Sequence, residues 1–189
     1  MNNLVQIMIQ MSTAIRGCIS NDLGLPALTL IYCSIDIMSY LNKEGNEGNK
    51  AYFTKWVDTY LISKLKGNIA SIDIYASRCG IVHRVSSESD LSTKGKARQL
   101  AYTMRKKSIN VQEQIDKNNK GHLYATLHIE DLFEAFMQAV EEFRLYLTNS
   151  EEKRAIAVKR AQSVYGYHNI SDGQEVEITM AYRDRNGHH

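Results

Sequence analysis

The stretch Gly24-Leu-Pro-Ala-Leu-Thr-Leu-Ile-Tyr-Cys-Ser-Ile-Asp-Ile-Met-Ser-Tyr-Leu41 sets the fold class, because it is apolar along most of its length. Its large side chains recur at steps of three or four residues, which is the period of one helical face. Gly24 and Pro26 mark its start, since proline is tolerated in the first helical turn, where its missing N–H would have no partner. The stretch therefore predicts a strongly apolar helix that ends near Leu41.

The segments around this stretch carry further helical patterns. One amphipathic helix is predicted before it, over 4–19, and two more after it, over 52–65 and 69–85. A polar, glycine-containing segment over 42–49 predicts a loop between the second and third helices. Two antiparallel helical hairpins of this kind indicate a four-helix bundle.

After Val85 the pattern changes. Partial alternation of β-favouring residues over 97–104 and 121–129 predicts a small antiparallel strand pair. Two more helices are predicted over 129–147 and 151–165, with an edge strand over 175–182. The expected fold is therefore mainly α: a helical bundle over 1–85, with a β-hairpin and C-terminal helices over 86–189 that pack on the bundle as part of a single domain.

The composition narrows the classes of function. The 189 residues include 43% hydrophobic and 23% charged residues, as in an ordinary soluble globular protein. The net charge of +2 is too small to create the strong positive field that is typical of nucleic-acid-binding proteins. Any binding site for RNA must therefore be a local one. Three cysteines without CxxC spacing argue against a disulfide framework or a zinc site. No run of about 18 continuous apolar residues occurs, so the sequence predicts no membrane span and a reducing, cytoplasmic setting.

The fourth predicted helix carries Arg78 and His83, within Tyr75-Ala-Ser-Arg-Cys-Gly-Ile-Val-His-Arg-Val85. Metal-free RNA cleavage needs a guanidinium and an imidazole of this kind. On an ideal helix, with about 100° per residue, His83 falls on the face expected to be buried and Arg78 lies about 120 to 160° away. The side chains of Arg78 and His83 could meet only if the helix ends near His83. The alternative to such a site is a histidine that is hydrogen-bonded inside the core.

A four-helix bundle whose last helix carries Arg-x4-His resembles the HEPN superfamily of nucleotide-binding and RNA-cleaving domains, which occur in toxin–antitoxin and phage-defence systems. The resemblance covers residues 4–85. The longer pattern over 71–83, followed by Glu88-Ser-Asp-Leu-Ser-Thr-Lys-Gly-Lys-Ala-Arg98, also resembles a bacterial protein family of similar length known only as uncharacterised.

The HEPN resemblance implies that Arg78 and His83 are the catalytic pair. It implies an endoribonuclease that needs no metal and no cofactor, in which a general base takes the proton of a ribose 2′-hydroxyl and cations stabilise the attacked phosphate. It further implies a homodimer whose two motifs line one cleft. Cys79 departs from the family, since active members usually have a polar residue after the arginine.

Other residues are candidates for supporting roles. A basic stretch with Tyr102 among its residues could bind an RNA backbone, although a solvated face would have the same composition. Its basic residues are Lys94, Lys96, Arg98, Arg105, Lys106 and Lys107. Asp36 and Asp73 are candidates to orient His83 or Arg78, and the plainer alternative for both is an exposed or helix-capping carboxylate. His122 and His128 share a face of the predicted strand pair, but no further metal ligand accompanies them. The predicted substrate-binding residues are Arg84, Lys94, Lys96 and Arg98.

The sequence leaves three functions open. The first is a dimeric HEPN-type endoribonuclease that binds RNA, with an antitoxin or other regulatory protein as a further expected partner. The second is a non-catalytic helical interaction or regulatory module with a degenerate motif. The third is a nucleotide-binding helical domain that uses Arg78 and Arg84 against phosphates.

Overall fold

A computed structural model of the chain describes residues 2–105 and 110–164. Helices form most of it, and two short strands form the only sheet in these ranges. The elements are α1 (Asn2–Ser20), α2 (Gly24–Leu41), α3 (Asn49–Trp56), α4 (Ser71–Arg84), α5 (Asp90–Thr93), β1 (Gln99–Thr103), α6 (Val111–Lys117), β2 (Tyr124–His128), α7 (Ile129–Asn149) and α8 (Glu151–Val164). The prediction of a mainly α protein is confirmed.

Helix α2 lies at the centre of the helical packing. It contacts α1, α3, α4, α7 and α8, and the side chains of Ile31, Tyr32 and Ile35 have no exposed surface. Within the described ranges α2 is also the one helix long and apolar enough to cross a membrane, with half of its length buried inside the fold. The core helix of a globular fold passes the same test of length and composition, and the packing of α2 against five other helices places α2 in the core.

One continuous hydrophobic core joins the helices on both sides of Val85. Trp56 at the end of α3 has no exposed surface and lies edge-on to Phe143 of α7, with 6.2 Å between the ring centroids. Ala157 and Ala161 of α8 belong to the same core. The helices before Val85 and the helices after it therefore share one core.

The third predicted helix changes its hydrogen-bonding pattern along its length. After α3, residues Val57–Leu61 form a π turn in which the N–H of Ile62 donates to the carbonyl of Val57. Residues Ile62–Lys64 then tighten into a 3-10 turn. The helical segment thus begins three residues before its predicted start at Tyr52 and ends close to its predicted end.

The two strands are parallel, so the predicted antiparallel pair is wrong. Gln99 lies opposite Tyr124, and the register continues to Thr103 opposite His128. The physical reason is the connection between the strands, which contains α6 packed on β2. A helical crossover of this length returns the chain to the same end of the sheet, whereas an antiparallel pair needs only a short turn.

The later helices match their predictions. The helix expected over 129–147 spans Ile129–Asn149, and the one expected over 151–165 spans Glu151–Val164. The edge strand expected over 175–182 lies outside the described residues, as do Lys106 and Lys107 of the basic stretch.

Candidate functional site

Arg78 and His83 meet at the C-terminal end of α4. Nη1 of Arg78 lies 2.9 Å from Nε2 of His83. On its other side Arg78 contacts Asp36 of α2, whose Oδ2 lies 2.6 Å from Nε and 2.6 Å from Nη2. Asp36 therefore orients the arginine, and the arginine reaches forward along the helix to the imidazole.

His83 is exposed, so it does not lie in the core, which was the alternative that the helical pattern left open. Helix α4 ends at Arg84, and Val85 follows with a left-handed backbone (φ +54°). The buried stripe of the helix runs through Ile74, Ser77 and Ile81 and stops before His83. The imidazole consequently lies beyond the core, where a solvent-borne molecule can reach it.

The contact between the two side chains depends on the tautomer of the imidazole. A guanidinium only donates hydrogen bonds, so a hydrogen bond from Arg78 forms only when Nε2 of His83 accepts, which is the tautomer with its proton on Nδ1. In that tautomer Nε2 carries the lone pair that a general base uses.

Burial and charge act against each other in the Asp36–Arg78 pair. Burial raises the pKa of Asp36, although the positive charge of Arg78 opposes the rise. Burial also disfavours the positive charge on Arg78 and would by itself lower its pKa. The attraction to Asp36 outweighs this effect of burial, so the pKa of Arg78 is raised. The arginine therefore stays charged in a half-buried position, with 17% of its side-chain surface exposed.

A groove of about 270 Å³ opens beside His83. Its walls come from the start of α3, the outer side of α4 and the short helix α5. The residues that line it are Lys50, Tyr75, Cys79, His83, Arg84, Ser89, Asp90 and Leu91. The site therefore combines the exposed imidazole, two cationic side chains and an aromatic ring in one depression.

Of the predicted substrate-binding residues, the structure brings only Arg84 to this groove. Its Nη2 lies 2.8 Å from Oδ1 of Asp90, in a solvent-exposed ion pair. Lys94 and Lys96 are exposed in the turn that follows α5. Neither of these lysines is among the residues that line the groove.

Arg98 and Asp73 form a separate ion pair. Asp73 is 2% exposed, and its carboxylate accepts hydrogen bonds from Nη2 of Arg98 at 2.7 Å and from the backbone N–H of Arg98 at 2.8 Å. It also accepts from the N–H of Ala70 at the start of α4. Asp73 thus joins α4 to the chain entering β1, and its hydrogen bonds do not go to Arg78 or His83.

Arg98 also borders a larger cleft, of about 750 Å³, between β2, α6 and the chain before α4. His128 lies there, and its Nδ1 is 2.6 Å from Oγ1 of Thr103. His122 lies in the turn before β2 rather than on the strand, so the two histidines do not share a strand face. The described ranges hold no group of three or more side chains placed to bind a metal.

Sequence reasoning did not select Tyr75 and Lys50 as site residues. Tyr75 could have been found, because Tyr75, Cys79 and His83 follow one another at four-residue steps on one side of α4. No sequence signal points to Lys50, since it reaches the groove from α3, which tertiary packing brings alongside α4.

Comparison of the chain with protein-family models, with curated proteins and with solved structures found no match.

Proposed function

We propose that this protein is a HEPN-type, metal-independent endoribonuclease. The observation that supports the proposal best is the 2.9 Å contact between Nη1 of Arg78 and Nε2 of an exposed His83. It joins a guanidinium and an imidazole at the edge of an open groove. These are the two groups that the HEPN resemblance assigns to cleavage, and the contact of Asp36 with Arg78 supports an orienting role for Asp36.

The geometry suggests how the two groups would act. Without RNA, Arg78 occupies the lone pair of His83 that a general base would use. A bound phosphate would attract the Arg78 donors to its own oxygens, because charge-assisted hydrogen bonds to phosphate are stronger than one to a neutral imidazole. Nε2 of His83 would then be free to accept the proton of the adjacent 2′-hydroxyl.

The bond changes follow from that proton transfer. The 2′-oxygen attacks phosphorus, the bond from phosphorus to the 5′-oxygen breaks, and the products are a 2′,3′-cyclic phosphate and a 5′-hydroxyl end. Arg78 would stabilise the extra negative charge on the phosphorane. A second copy of the chain, as the HEPN resemblance implies, would add a second imidazole, which in its protonated form would give its proton to the leaving 5′-oxygen while His83 of the first copy keeps the proton of the 2′-hydroxyl.

The test is cleavage of RNA in the presence of EDTA by the wild-type protein and by single variants. We expect His83→Ala and Arg78→Ala to lose at least about a hundredfold in cleavage rate, as for removal of a general base. The matched controls are His122→Ala and Arg144→Ala, which change an exposed histidine and an exposed arginine outside the site. Equal cleavage by wild type and His83→Ala would refute the proposal, and so would wild type without activity.

One observation favours a second candidate, a non-catalytic helical module. The Arg78 guanidinium is engaged on both sides within the chain, by Asp36 and by His83, and Cys79 replaces the usual polar residue. In that case Arg78→Ala would lower the melting temperature of a protein that never cleaves RNA. A half-buried, charge-assisted hydrogen bond of this kind is worth about 1.5 to 3 kcal/mol.

A further inference from the structure

The groove beside His83 has the features of a site for one unpaired nucleotide. Tyr75, Cys79 and Leu91 supply its apolar surface, and Lys50 and Arg84 supply its positive charge. A nucleobase is a flat, largely apolar ring, and the phosphates on either side of it are anionic. Proteins that bind single-stranded nucleic acid combine the same two elements, an aromatic platform and cations that follow the backbone.

The ring of Tyr75 packs against a buried aromatic ring, which limits its movement. Phe53, which has no exposed surface, packs edge-on against it with 5.3 Å between the ring centroids. Tyr75 itself is only partly buried, and the groove lies against it. A platform fixed in this way loses little conformational freedom when a base stacks on it.

The electrostatics also suit RNA. Burial raises the pKa of Tyr75, so its ring carries no negative charge near neutral pH. Lys50 is exposed at the start of α3, and within the described part of the chain it takes part in no ion pair. The charge of Lys50 is therefore available to a phosphate, whereas Arg84 already forms an ion pair with Asp90 at the edge of the groove.

The groove is open to solvent, and its volume of about 270 Å³ is comparable to that of a single nucleotide unit. A base inside a duplex has both faces covered by its neighbours, so only an unstacked base could lie against Tyr75. A groove that offered Tyr75 to a base in this way would therefore favour single-stranded over paired RNA.

We infer that the base of a nucleotide next to the cleaved phosphate stacks on Tyr75 while Lys50 binds a flanking phosphate. The inference rests on the proposed function, since it places this nucleotide beside His83. It adds two substrate-binding residues, Lys50 on α3 and Tyr75 on α4, that neither the Arg-x4-His motif nor the HEPN resemblance includes.

The experiment measures binding of a fluorescent single-stranded RNA with 2′-O-methyl riboses, which cannot be cleaved, by the full-length protein. We expect Tyr75→Leu to weaken binding about tenfold, in line with the loss of one base–aromatic stack, and Tyr75→Phe to leave it within about twofold. Tyr146→Leu is the matched control, because Tyr146 is a partly exposed tyrosine on α7.

Salt dependence tests Lys50. Each phosphate contact on a single strand contributes about 0.7 to the slope of the log of the binding constant against the log of the salt concentration. We therefore expect Lys50→Gln to reduce the magnitude of this slope by about 0.7. The control, Lys120→Gln, should leave the slope unchanged. Lys120 is an exposed lysine in the connection between α6 and β2. A duplex of the same sequence should compete at least about tenfold more weakly than the single strand.

The outcomes separate the two proposals. If the wild type cleaves RNA but Tyr75→Leu binds the 2′-O-methyl strand as tightly as wild type, the nucleotide site is refuted and the nuclease stands. If the wild type binds no RNA, both proposals fail. If Tyr75→Leu loses binding while His83→Ala keeps it, the base site is supported separately from the chemistry.

Discussion

Asp36 and Arg78 lie 42 residues apart in sequence, yet one carboxylate oxygen contacts two guanidinium nitrogens at 2.6 Å. The contact determines where the rest of the guanidinium points. With Nε and Nη2 turned to Asp36, Nη1 is the nitrogen left to face His83. The site is therefore built from two helices, α2 and α4, although its motif lies on α4 alone.

Replacement of Asp36 by asparagine should impair cleavage without removing either motif residue. The neutral amide binds a guanidinium more weakly than a carboxylate does, so Arg78 would no longer be fixed toward His83. We expect at least about a tenfold loss in single-turnover cleavage rate, with circular dichroism at the assay temperature to show that the variant is folded.

A double variant tests whether Asp36 acts through the arginine. If it does, Asp36→Asn combined with Arg78→Ala should be no slower than Arg78→Ala alone. Rate losses that multiply would contradict a positioning role for Asp36.

The sequence predicts best those features that depend on interactions between residues close together along the chain. The helices follow from the local spacing of apolar residues, so α1, α2, α4 and α7 begin and end close to their predicted positions. Strand direction depends on α6, whose seven residues lie in a polar run without a clear apolar period.

The site was predicted in part for the same reason. Arg78 and His83 are close in sequence, and the end of the helix brings them together. The pairing of Asp73 with Arg98, 25 residues away, depends on how β1 packs on α4 and leaves no local pattern. Whether His83 is buried was left open, because helical periodicity says which residues share a face but not where the core stops along that face.

The Asp73–Arg98 pair should matter for stability rather than for chemistry. Asp73→Ala would leave a guanidinium, 21% exposed, without its carboxylate and would remove the acceptor for two backbone N–H groups. Loss of one partner of a buried ion pair costs about 3 to 5 kcal/mol. Urea unfolding should show this loss, whereas Asp90→Ala, which breaks the exposed pair with Arg84, should cost less than about 1 kcal/mol. Equal losses for the two variants would contradict the structural role.

Two glycines should respond in opposite ways to replacement by alanine. A Cβ at Gly80 would lie 2.5 Å from the carbonyl oxygen of Ser86 and 2.6 Å from that of Glu88, because the chain after α4 folds back onto the helix there. Such contacts involve backbone and cannot be relieved by rotating a side chain. We expect Gly80→Ala to destabilise the protein by about 2 kcal/mol or more.

Gly17 in α1 is the matched control, since nothing lies within 4 Å of a Cβ placed there. Alanine is favoured over glycine inside a helix by about 1 kcal/mol, so Gly17→Ala should raise the melting temperature. A Gly80→Ala variant as stable as wild type would mean that the chain over 86–88 does not lie against α4.

The hydroxyl groups of Tyr32 and Tyr102 share a hydrogen bond between α2 and β1, and the pair should make the protein sensitive to alkali. Burial raises the pKa of Tyr102 to about 12, above the ordinary value of 10.0 that the unfolded chain has. The folded state therefore keeps a proton that the unfolded state releases. The contribution of Tyr102 to stability is complete below pH 10 and is lost as the pH rises toward 12.

Tyr102→Phe separates this effect from the general effects of alkali. Near neutral pH the variant should be less stable by about 1 to 3 kcal/mol, because the hydroxyl of Tyr32 loses its buried partner. Between pH 8 and pH 11 the wild type should lose more unfolding free energy in urea than the variant, since phenylalanine has no proton to release. Tyr146→Phe, on the exposed side of α7, serves as the control and should follow the wild type. Parallel losses in wild type and Tyr102→Phe would show that Tyr102 ionises as readily in the fold as outside it.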